Sequence, residues 1–217
     1  VPAGADMRTA AAGLRAALGG AAGFAGAWSD YDDVRSSLLH EVLRRRRGLP
    51  ITLSVVWVEV ARRLGVPAQP VPLPGHVVVA LGAGEPVHVD PFAGGRLLDT
   101  DDLAARVRAA TGGPLRPEHL APADPVGLLL RLLTNVRVLA ARQGSLEAAR
   151  TARWAVELSL LLPRHPLELR REHGRLLVRL GDFPGGAAEL EAYADVVDDA
   201  ERDGARREAR LARARLN

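Results

Sequence analysis

The stretch that decides the fold is Gly48-Leu49-Pro50-Ile51-Thr52-Leu53-Ser54-Val55-Val56-Trp57-Val58-Glu59-Val60-Ala61-Arg62-Arg63-Leu64-Gly65. Proline stands at the first helical position, where its missing N–H leaves no bond unmade. Glycine followed by Val66-Pro67 stops the run. Between them apolar residues occupy nearly every side, which predicts a helix buried almost all round at the centre of a domain. From Ala68 the period changes from helical to two. Pro70-Val71-Pro72-Leu73-Pro74 reads as extended chain with too many prolines for a central strand. His76-Val77-Val78-Val79-Ala80-Leu81 and Pro86-Val87-His88-Val89-Asp90 flank Gly82-Ala83-Gly84 and read as a hairpin. A three-residue turn there pairs Val79 with Val87, Val77 with Val89 and His76 with Asp90. One face then carries the valines, and the other carries His76, Val78, His88 and Asp90.

On the N-terminal side, residues 1–27 are rich in Ala and Gly and suggest one loose helix, and an acidic cap at Asp30–Asp33 precedes a helix over 34–47. On the C-terminal side, Gly94-Gly95 turns the chain into a short amphipathic helix over 99–110. A proline-marked linker over 111–125 follows, then helices over 126–142, 146–162, 167–180 and 184–200 and a basic tail. Gln143-Gly144-Ser145 and Leu180-Gly181-Asp182 occupy equivalent turns, about one tetratricopeptide unit apart. Trp154, with Leu158 and Leu161, reads as the core stripe of that array.

Composition limits the chemistry. Among 217 residues there is no cysteine, so disulfide scaffolds, thiolate zinc sites and thiol nucleophiles are excluded. The net charge of +3 comes with 29 basic residues, every one of them Arg, and with few aromatic residues to stack bases. The isoelectric point near 10.3 therefore reflects how late Arg titrates, and no nucleic-acid partner is expected. No apolar run approaches the roughly 18 residues of a membrane span, so a cytoplasmic protein with no membrane partner is expected.

A histidine opposite an aspartate is the orienting half of an acyl-transfer site, because the carboxylate fixes the imidazole tautomer and stabilises its protonated form. His76 and Asp90 are that pair, and residue types alone leave this reading level with a turn and a cap. Ser54, one helical turn beyond Pro50, is the candidate nucleophile; its alternative is a hydroxyl bonded to the carbonyl four residues earlier. His88 shares a face with Asp90 and raises the question of a metal, but no metal and no cofactor are expected. Glu41, on the helix over 34–47, is the remaining candidate for a polar pocket wall.

Taken together, Gly48-Leu49-Pro50-Ile51-Thr52-Leu53-Ser54, Leu73-Pro74-Gly75-His76 and Val89-Asp90-Pro91-Phe92-Ala93-Gly94-Gly95-Arg96, with Asp30-Tyr31 and Arg131-Leu132-Leu133-Thr134-Asn135-Val136, resemble a bacterial transglutaminase-like family. Tetratricopeptide-like helices follow the catalytic-type domain in that family, and some members are described as invasion regulators. The resemblance implies an α+β fold: a transglutaminase/papain-like core, with a central helix on a small antiparallel sheet, then an all-α helical array. It implies a transglutaminase-like domain over 1–110, the linker 111–125 and a helical domain over 126–217. It also places Pro50 where active relatives carry their cysteine, with Gly48 two residues before it and His76 and Asp90 at the other triad positions. The expected function is binding of a peptide or protein segment in a regulatory role. The alternative is amide or acyl chemistry using His76–Asp90 with Ser54, water or a substrate nucleophile.

Overall fold

A computed structural model describes residues 6–215. The chain divides into two compact units at Leu128. The first contains α1 (Met7–Leu14), α2 (Leu39–Arg45), α3 (Pro50–Arg63) and a sheet of β1 (Ala68–Val71), β2 (Val78–Leu81), β3 (Val87–Asp90) and β4 (Arg96–Leu98). It also holds α4 (Thr100–Thr111) and the start of α5 (Pro125–Gln143). The sheet is antiparallel throughout, in the order β1-β2-β3-β4. As the proline pattern requires, the Pro-containing strand lies at an edge.

The central helix is as expected. Leu49 caps α3 in extended conformation, Pro50 opens it, and Leu53, Ser54, Trp57 and Ala61 are fully buried. Val79, Leu81 and Val89 of the sheet join Leu53, Trp57 and Leu14 in one core cluster. On the opposite face Val71, Val78, Ala80 and Leu98 pack with Leu103 and Val107 of α4. The sheet is therefore covered on both sides within this unit. Gly95 makes one of these contacts possible. A Cβ there would lie 2.0 Å from the Trp57 ring, and its φ of +83° is left-handed.

The hairpin register differs from expectation by two residues: Val79 pairs with Val89, Ala80 with His88 and Leu81 with Val87. The loop is Gly82–Pro86, longer than the three residues assumed, with Gly82 at φ +103°. Because the slip is even, each side chain keeps its face. His76 precedes β2 and does not pair with Asp90 as a strand neighbour.

The helix expected over 34–47 is two pieces. Val34–Ser37 is a single 3-10 turn capped by Asp33, and Leu38 is extended before α2 begins. The cause is the Ser36 carbonyl, which accepts from Leu49 N at 3.0 Å and from Thr52 Oγ1 at 2.8 Å and is thereby diverted to the cap of α3. Arg46, at φ +58°, ends α2. The N-terminal helix is better packed than its composition suggests, since Ala10, Ala11 and Leu14 are buried, and it runs on into a π-helical turn over Arg15–Ala21.

The second unit continues α5 and adds α6 (Leu146–Leu160), α7 (Glu168–Arg179), α8 (Phe183–Ala194) and α9 (Asp199–Ala214). The repeated turns have one construction. Gly144 and Gly181 take left-handed φ, after which Ser145 caps α6 through Ala148 N and Asp182 caps α8 through Gly185 N. Two expectations are corrected. The basic tail is helix α9, capped by Asp198, with Ala205, Ala209 and Ala212 buried. Small residues carry its inward face, so a search for large apolar side chains passes over it. Trp154 is 47% exposed and Leu161 80%, while Ala152, Ala155 and Val156 fill the core of α6. No helix among the described residues is long and apolar enough to cross a membrane.

Glu208 ties α9 to α7 through Arg175 and Arg171, at 2.7 Å each. The Arg175 hydrogen bond, helped by Arg171 and opposed by burial, pulls its carboxyl down to about 2. Its stabilising effect is complete above its ordinary value of 4.5 and is lost as pH falls from there towards 2. Melting the wild type and Glu208→Gln between pH 6 and 2 is expected to show a smaller acid-induced fall in Tm for the variant. In urea titrations, Gly95→Ala is expected to lose about 3 kcal/mol, because the new methyl displaces Trp57 and strains the turn.

Candidate functional site

The centre of the site is Asp90, at the end of β3 and 1% exposed. Three groups from three segments converge on its carboxylate. His76 Nε2 lies 2.9 Å from Oδ1, the Phe92 amide donates to Oδ1 at 3.0 Å, and Arg106 Nη2 of α4 donates to Oδ2 at 2.6 Å. Burial alone raises this carboxyl. The His76 bond, with the charges of His76 and Arg106 and the Ala93 amide, outweighs burial and holds it below the usual carboxylate range. An ionised carboxylate only accepts, so His76 carries its proton on Nε2 and presents Nδ1 as its basic atom.

Local sequence explains how these groups meet. Gly75, at φ +72°, closes the turn in which His76 N donates to Leu73 O at 3.1 Å. After Asp90, the turn through Pro91 returns Ala93 N and Gly95 N to the Asp90 carbonyl, at 3.1 and 2.8 Å. The second turn of α3 reaches the segment beside His76, since Ser54 Oγ lies 3.4 Å from the Val77 carbonyl.

An aromatic surface adjoins the pair. Phe92 meets His76 edge-on at 5.9 Å, Trp28 meets Phe92 at 5.1 Å, and Trp28 stacks on Tyr31 at 5.5 Å. Trp28 is 74% exposed. Phe92 is seated against Gly26, where a Cβ would lie 1.9 Å from the ring, and Gly26 N donates to Phe92 O at 2.8 Å.

Of the residues singled out from the sequence, His76 and Asp90 come together and Pro50 begins α3. Ser54 does not join them as a nucleophile. It is fully buried and its hydroxyl donates to Pro50 O at 2.7 Å, the back-bond that an internal helical serine makes. Glu41 is paired with Arg44 at 2.6 Å on its own helix, and its carboxyl is lowered chiefly by that bond. Gly48 serves packing: a Cβ there would stand 2.9 Å from Thr52 Oγ1 and from both Val42 methyls. His88 is buried against the α4 side of the sheet, and desolvation lowers its pKa. Among the described residues no group of three His, Asp or Glu side chains is arranged to hold a metal.

Arg106 and Trp28 escaped the sequence reading. Arg106 had a signal, since it lies three residues after Leu103 and one before Val107, on the inward stripe of α4. A charge on that stripe needs a buried partner. Trp28, in a single 3-10 turn over Trp28–Asp30, had none.

Residues 2–134 match the family model described as the transglutaminase-like superfamily. The chain belongs to this superfamily. Residues 138–217 match the tetratricopeptide repeat, a repeat associated with protein interaction. A UPF0162 protein of Xylella fastidiosa strain 9a5c is 38% identical over 177 residues, covering 79% of this chain and 62% of that protein. A UPF0162 protein of Pseudomonas aeruginosa is 35% identical over 127 residues, 57% of this chain and 46% of the relative. Human F-box only protein 21 is 27% identical over 174 residues, 74% of this chain and 26% of that protein. The chain thus spans about three-fifths of the length of the Xylella relatives it matches. No solved structure matches.

A helix N-terminus lowers the pKa of a thiol placed on it. Pro50→Cys is therefore expected to react with iodoacetamide at pH 7 about tenfold faster than free cysteine. Adding His76→Ala is expected to remove most of the gain, as labelling rates across pH 5–9 will show.

Proposed function

We propose that the first unit binds an extended peptide or protein segment on the aromatic residues beside the His76–Asp90 pair, in a regulatory role and without thiol chemistry. The observation carrying this reading is Trp28, 74% exposed, which stacks on Tyr31 and meets the edge of Phe92, the buried ring that in turn touches His76. Exposed aromatic rings of this kind anchor partners, because they bury much area for little lost side-chain entropy. The family resemblance implies that Pro50 stands where active relatives carry cysteine, and the chain contains no cysteine to supply an attacking sulfur. The tetratricopeptide repeats of the second unit favour a protein partner in their own right.

A second reading rests on the intact pair. With Asp90 ionised and Nε2 protonated, His76 Nδ1 is suited to take a proton from water or from a substrate nucleophile in an amide or acyl reaction. Ser54 is withdrawn from that reading, because its hydroxyl is spent on Pro50.

The two readings separate in a peptide selected by display against the full chain. Binding predicts that Trp28→Ala weakens the peptide by about 2 kcal/mol in calorimetry, while His76→Ala changes its Kd less than about threefold. Turnover of the selected peptide or an amide analogue, lost in His76→Ala and in Asp90→Asn, establishes the enzyme instead. A selected peptide that Trp28→Ala leaves equally tight refutes the aromatic anchor.

A further inference from the structure

A second cavity lies in the first unit, apart from the aromatic surface. It has a volume of about 430 Å³, in the range of small-molecule sites, and opens between the β3–β4 side of the sheet, the start of α4 and the Arg8 side chain of α1. His88 lines it. That side chain is 8% exposed, and its Nε2 is buried with no hydrogen-bond partner among the described residues. A buried ring nitrogen without a partner costs free energy comparable to a lost hydrogen bond, unless something in the cavity completes it.

The other polar walls show what that something is. The two carboxylates present, Asp99 and Asp102, are already engaged. Asp99 accepts from Asp102 N at 2.8 Å, and Asp102 accepts from Arg96 at 2.8 Å and from Asp99 N at 3.4 Å. What they leave for a ligand is one donor-only group, Arg8, with a ring nitrogen and a hydroxyl that can each turn a hydrogen towards it. The Arg8 guanidinium reaches the cavity from α1, near the Asp6 cap, and Thr100 brings a hydroxyl at the positive end of α4. Leu98, Leu103, Leu120 and Pro86 supply the apolar remainder. The two halves match an anionic head on a short apolar body.

We infer that this cavity is a binding site for a small carboxylate with a short aliphatic tail, its head held by Arg8, His88 and Thr100 and its tail by the leucines. The carboxylate comes either from a free acid or from a peptide C-terminus ending in an apolar residue. No covalent step is involved, and the site is independent of the His76–Asp90 centre.

The test is isothermal titration of the full chain with hexanoate, acetate and hexylamine, and with a leucine-terminated tripeptide as free acid and as amide. Hexanoate or the free-acid peptide is expected to bind, acetate at least about tenfold more weakly and the amide not at all. Whichever acid binds tighter identifies the source. Arg8→Ala and His88→Gln are expected to weaken the acid about tenfold or more. Arg8 is exposed, so its variant decides the matter even if His88→Gln fails to fold. The inference is overturned if neither acid binds below about 10 mM, if hexylamine binds as tightly as hexanoate, or if Arg8→Ala binds the acid unchanged.

Discussion

The first unit depends on the burial of one ionised carboxylate. Asp90 is almost wholly removed from water, and a charge so placed is tolerated only when its lone pairs are met. Arg106, His76 and the Phe92 amide meet them, and they come from α4, from the turn before β2 and from the loop after β3. Satisfying that charge therefore sets where three separate segments lie. It also sets the imidazole tautomer, since an acceptor-only partner leaves Nε2 protonated.

Arg106 makes the arrangement more than a dyad. In a simple His–Asp pair the aspartate is the main source of charge stabilisation for the imidazolium. Here Arg106 donates to the second oxygen of the same carboxylate, so the buried charge is met from two sides. With Nε2 committed to Asp90, the ring atom left free is Nδ1. The same geometry is compatible with both proposed readings of function, and Trp28 adds an exposed ring beside it.

Glycines extend the same logic. Gly26 lets the Phe92 ring lie against the backbone, and Gly95 admits the Trp57 ring while completing the turn that returns to Asp90. Both aromatic residues are immobilised by what their neighbours lack. Ser36 shows the converse. Its carbonyl is given to the cap of α3, and the helix that would have run through it is cut short.

What the amino-acid sequence determined by itself was local and periodic. The start of α3 at Pro50, its burial, the hairpin's two faces and the capped glycine turns at Gly144 and Gly181 follow from spacing and turn chemistry, whereas the meeting of His76 with Asp90 was expected from a register that the fold does not adopt. The faces survived a register error because the error was even. Tertiary structure alone decided the rest: that Arg106 reaches Asp90, that Trp28 stacks beyond Phe92, that Ser54 spends its hydroxyl, and that Trp154 faces solvent. Each depends on contacts between residues distant in the chain or on which small residues fill a core. A one-dimensional pattern records which residues share a face, and only the packed chain determines what stands opposite.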